Sequence, residues 1–79
     1  MARMSSFDDA IEALREAVKQ APDNLGLRRH LAETCLKAGR ADEAETHFKA
    51  ALARQPHDAE LKLGLATAFY RQGKHSAAA

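Results

Sequence analysis

Tryptophan is absent, cysteine occurs once, and Val, Ile and Thr together number five among 79 residues. Each shortage removes a class of protein. The single Cys35 leaves no partner for an internal disulfide and rules out a Cys-rich zinc module, which suits a small helical protein in a reducing compartment, and a cytoplasmic location is expected. So few β-branched residues argue against a sheet, whereas 18 Ala and 9 Leu supply strong helix formers. Long apolar runs are missing as well. The longest, Ala50-Ala51-Leu52-Ala53, is four residues, too short for a transmembrane helix or a signal-peptide core, so no membrane partner is expected. Charge of one sign is also scarce: 12 Lys and Arg against 11 Asp and Glu give +1, without the basic footprint of a nucleic-acid binder. A chain of this length holds one small domain, residues 1–79.

What is present is internal self-similarity. Pro22 and Pro56 lie 34 positions apart, and so do Gly39 and Gly73. At the same offset Leu27 matches Leu61, Leu31 matches Leu65, Ala32 matches Ala66, Asp8 matches Asp42, Ala10 matches Ala44, and Ala17 matches Ala51. A fixed period of this size is the signature of a repeat architecture. Each period divides at its glycine into two stretches with apolar residues at helical spacing, so the unit is a pair of helices. Ala44, Phe48, Ala51 and Leu52 form one such stripe, and Leu27, Leu31 and Leu36 another. Gly39 supplies the left-handed conformation that ends a helix, and the residue before Pro56 disfavours α conformation. Asn24 and Asp58 are the candidate N-caps, and acidic residues at Asp8, Asp9, Asp42, Glu43 and Glu60 suit the positive ends of helix dipoles. The spacing predicts helices over 7–20, 24–38, 41–54 and 58–72, an all-α fold of about four helices. A fifth helix opens at the C-terminus.

A 34-residue helix-turn-helix unit with Leu31, Ala32, Gly39, Ala44, Phe48, Ala51 and Pro56 in this order resembles the tetratricopeptide repeat from Phe7 to Ala78. The resemblance implies antiparallel helix pairs stacked as a solenoid fragment. Residues 7–22 then form the second helix of a partial repeat, 23–56 a complete repeat, and 57–79 the first helix and opening of the second helix of a further repeat. Small residues at 32, 44 and 51 let helices approach while Leu31 and Phe48 fill the space between. Departures from the family pattern fall at Arg28 and Lys62, where a large residue such as tryptophan is usual, at Cys35 in a tyrosine slot, and at Ala41 and His75 in the turns. Half-repeats at both ends point to a piece of a longer protein or to a chain that self-assembles, with the face bearing Leu61, Leu65 and Phe69 lacking its partner helix. Residues 1–24 carry −2 and residues 59–79 carry +2, a polarity that favours head-to-tail association of copies.

Arrays of this family bind extended peptides or partner helices on a concave face built mainly from first helices. The resemblance therefore implies a binding surface of Arg29, Glu33, Leu36 and Lys37 from one helix and Leu63, Thr67, Tyr70 and Arg71 from the next. Cations beside an apolar and aromatic floor suit a carboxylate-bearing peptide held by an Arg fork at Arg29 or Arg71, with packing on Tyr70. The family's clamp for chaperone C-termini fits poorly, since Glu33 and Gly64 stand where asparagines are expected. Among His30, His47, His57 and His75, none stands four residues from another histidine or Cys35, and none is expected to share a face with a carboxylate cluster, so no metal is expected. Cys35 reads as a buried, inert thiol. The scattered glycines make no phosphate cradle, although Gly64, about 1 kcal/mol worse than Ala inside a helix, leaves room for a neighbouring helix or ligand. No nucleophile with its base, metal cluster or cofactor loop is assembled, so the expectation is a non-enzymatic protein-interaction module without cofactors.

Overall fold

A computed structural model describes residues 6–73, which form four helices: α1 (Ser6–Gln20), α2 (Leu25–Lys37), α3 (Ala41–Arg54) and α4 (Ala59–Arg71). No strand occurs among the described residues. Each helix end lies within one residue of the position expected from sequence. The expected fifth helix and the turn position of His75 lie outside the described residues.

The punctuation works as the repeat requires. Asn24 and Asp58 sit in extended conformation just before α2 and α4, and their side chains accept from the backbone N–H of Leu27 and Leu61, both at 3.0 Å. The two loops share a second bond in the same register: the N–H of Asn24 donates to the Ala21 carbonyl at 3.0 Å, and that of Asp58 to the Gln55 carbonyl at 3.2 Å. Gly39 and Gly73 have φ of +81° and +74°, a region where an L side chain is strained. After α2 the chain reverses tightly, with the Arg40 N–H donating to the Cys35 carbonyl at 2.8 Å. α3 has no side-chain cap, and Asp42 and Glu43 in its first turn supply the favourable charge instead.

Connections of three or four residues make sequence-adjacent helices antiparallel neighbours. Each packs on the next, and α2 also meets α4. The core runs through this stack: Ile11, Leu31, Phe48 and Leu61 are at most 2 % exposed, with Ala32, Ala44 and Ala51 fully buried between them. The expected open face of α4 is only partly open. Leu61 belongs to the core, Leu65 and Phe69 are half-buried, and the Lys49 ammonium lies 5.6 Å from the centre of the Phe69 ring. Ala66, the repeat counterpart of buried Ala32, is exposed.

Gly64 receives the Phe48 ring. A Cβ at position 64 would stand 2.3 Å from both Cε1 and Cζ of that ring, so the absent side chain is what lets the aromatic lie against the α4 backbone. Ion pairs then lace the stack together over distances that span a repeat: Arg40 with Asp8 and Arg54 with Asp23, each at 2.6 Å.

Candidate functional site

α2 and α4 pack against one another, and between them lies an open groove of about 480 Å³. α2 lines it with Arg29, Glu33 and Leu36, spaced so that they share one helix face. α4 contributes Leu63, Gly64 and Thr67, and the Phe48 ring of α3 reaches the groove because Gly64 has no side chain. Leu63 is 68 % exposed, an unusual fraction for a leucine placed beside Leu36 and an aromatic floor. Thr67 donates its hydroxyl to the Leu63 carbonyl at 2.9 Å.

Five of the eight residues expected to bind a partner are therefore gathered in one groove. Lys37, Tyr70 and Arg71 lie at the C-terminal ends of α2 and α4, outside its lining. Tyr70 is 69 % exposed there. Both arginines expected to fork a carboxylate already have protein acceptors. Arg29 pairs with Glu60 across the groove and approaches Glu33 at 3.9 Å. Arg71 donates from Nη1 to the Leu36 carbonyl at 2.9 Å, tying the end of α4 to the end of α2. Glu33 and Glu60 against Arg29 give the lining one excess negative charge, opposite in sign to the chain as a whole.

A second constellation sits between α1, α2 and α3. Cys35 Sγ, a Glu43 carboxylate oxygen and a His47 ring nitrogen all lie within 4.8 Å of one another. The expectation concerned a carboxylate cluster, and what the fold brings to His47 is the single carboxylate of Glu43 together with Cys35. Glu43 and His47 are one turn apart on α3, with His47 Nε2 3.4 Å from Glu43 Oε2. Arg15 reaches over from α1 as a fork, Nε donating to Oε2 at 2.8 Å and Nη2 to Oε1 at 2.6 Å. The i,i+4 spacing of Glu43 and His47 was the available signal, while Cys35 joins them only through the reversal at Gly39. Hydrogen bonds from Arg15 hold the Glu43 carboxyl below its usual range. Burial pushes the Cys35 thiol up to about 11, with the Glu43 charge acting in the same direction. That thiol is fully buried, consistent with the inert role expected of it at neutral pH.

No described helix is long and apolar enough to cross a membrane. Nothing among curated proteins or solved structures matches the chain. A family model described as tetratricopeptide repeat matches residues 2–47 and again residues 36–79. The second match starts 34 residues after the first, the same offset that relates Pro22 to Pro56.

Proposed function

Because the chain belongs to the tetratricopeptide repeat family, whose repeats generally serve as protein-interaction modules, we propose that it takes an extended peptide or helix of a partner protein along the groove between α2 and α4, without catalysis. The observation that carries this reading is an open groove with Leu63 exposed and Leu36 half-buried beside the buried Phe48 ring, rimmed by charged side chains of α2 and α4. Apolar anchors seated in a pocket supply most binding energy, and rim charges set preference and rate.

The rim also selects the ligand. A carboxylate entering beside Arg29 would have to displace Glu60 and meet Glu33, so a carboxylate-bearing peptide is disfavoured. The better fit is a segment with one apolar anchor flanked by Lys or Arg, the anchor packing on Leu63 and the cation meeting Glu33 or Glu60. Lys37, Tyr70 and Arg71 extend the contact surface towards the C-terminal ends of the two helices.

Fluorescence anisotropy with two peptide series tests this, each carrying a central Leu or Phe flanked by basic residues in one and acidic residues in the other. The basic series should bind more tightly and weaken as salt rises. Leu63→Ala should then reduce affinity by about tenfold, the effect of losing roughly 1.4 kcal/mol of anchor contact. Preference for the acidic series, or indifference to Leu63→Ala, would sink the reading.

A further inference from the structure

We propose that Cys35, Glu43 and His47 form a zinc site with three protein ligands, a second site separate from the groove. Thiolate, imidazole and carboxylate are the three side-chain donors zinc takes, whereas calcium and magnesium need several oxygens and find only one carboxylate here. The 3.4 Å separation of His47 Nε2 and Glu43 Oε2 suits two corners of a tetrahedron with metal bonds of about 2.0–2.1 Å. Cys35 Sγ lies within 4.8 Å of both, on the buried side. The donors come from two packed helices, so little ordering is left for the ion to impose. Glu43 and His47 keep 21 % and 17 % side-chain exposure, which leaves the cluster a way in from solvent.

Two guanidinium groups face the same carboxylate and oppose a cation. Arg15 forks it, and Arg40 Nη1 stands 3.9 Å from Oε1 while pairing with Asp8. Arg15 is the direct competitor, because its Nε holds the Oε2 atom nearest His47. Its side chain is 41 % exposed and free to yield that contact while keeping Oε1, the arrangement of an outer-sphere partner. On binding, the Cys35 thiol loses its proton to the bulk, one sulfur–metal bond replaces the S–H bond, His47 ligates as neutral imidazole, and Arg15 stays protonated. Water completes the fourth position.

The intact chain, stripped with chelator, is titrated with Zn²⁺ by calorimetry and with Co²⁺ by absorbance. One ion per chain is expected, with a sulfur-to-cobalt charge-transfer band in the near ultraviolet and a rise in melting temperature on saturation. Cys35→Ser and His47→Gln should each weaken binding by more than about 100-fold, beyond the usual effect of losing an outer-sphere partner, while His57→Gln leaves it unchanged. Arg15→Gln should tighten binding by about tenfold, since a competing cation is removed. Circular dichroism of the metal-free variants confirms that they fold. No binding by the unaltered chain overturns the proposal, whatever Arg15→Gln does. So does binding without the charge-transfer band, or binding that survives Cys35→Ser.

Discussion

Gly64→Ala is the substitution on which helix propensity and packing disagree most sharply. In an unconstrained helix interior the exchange stabilises by about 1 kcal/mol, because glycine has more backbone freedom to lose. Here the new methyl would stand 2.3 Å from two carbons of the Phe48 ring. Carbon atoms prefer separations of about 3.5–4.0 Å, so the ring or the helix must retreat by roughly 1.2 Å or more. Phe48 is 1 % exposed and belongs to the core cluster, so displacing its ring disturbs the packing around it. Forced repacking of this kind costs about 1–3 kcal/mol, which leaves a net loss of up to about 2 kcal/mol after the propensity gain. For a domain of this size 1 kcal/mol moves the melting temperature by about 4–8 °C. The assay is urea and thermal unfolding followed by far-ultraviolet circular dichroism, in the wild-type and Phe48→Leu backgrounds. Phe48→Leu removes the ring atoms that the methyl meets, so Gly64→Ala should become neutral or stabilising there. One period earlier the chain itself carries that alternative, Leu14 and His30 at the counterpart positions. A stabilising Gly64→Ala in the wild type, or the same penalty in both backgrounds, would refute the reasoning.

Three further outcomes are expected. Asp58→Ala removes the acceptor for the Leu61 N–H and should lower stability by about 1 kcal/mol, read as a reduced urea midpoint with an unchanged slope. Glu43 has a folded-state pKa held below its unfolded value of about 4.3 by the Arg15 hydrogen bonds, so its contribution is complete above that pH and is lost as pH falls through the lower folded value. Unfolding midpoints measured in chelator from pH 6 downwards should therefore drop more steeply for the wild type than for Glu43→Gln below about pH 4.3, and parallel profiles would count against the pairing. Cys35, fully buried with its thiol pushed up to about 11, should resist iodoacetamide at neutral pH in buffer and react readily in urea; equal rates in both would contradict its burial.

The parts of this fold that were legible in the sequence are those fixed by neighbours along the chain. Asn24 and Asp58 cap because a short acceptor three residues ahead of a free N–H is a local arrangement, and Gly39 ends a helix by its own backbone freedom. The repeat extended this reach, since Leu31, Phe48 and Ala51 could be assigned to packed faces from the family resemblance before any contact was known. The site was harder for the same physical reason. Arg29 was legible as a cation on the groove face, but its partner Glu60 lies 31 residues away, and that pairing is what leads the proposed reading away from an anionic ligand. Arg71 likewise meets a carbonyl on another helix, a partner that no side-chain pattern announces. Gly64 was legible as a gap but not as the seat of Phe48.

That seat limits how freely the period can be copied. A tandem array of residues 23–56 would bring Phe48 of one unit to a helix carrying His30 where Gly64 now stands. The ring would find a side chain in its place, so the central unit is not interchangeable with its neighbours despite their shared period. By register, Leu14 and His30 stand where Phe48 and Gly64 stand one period later, so the pair of residue sizes differs between the two positions. Order along the array is thus written into side-chain size, and a shuffled or duplicated version would need its joints recut in pairs.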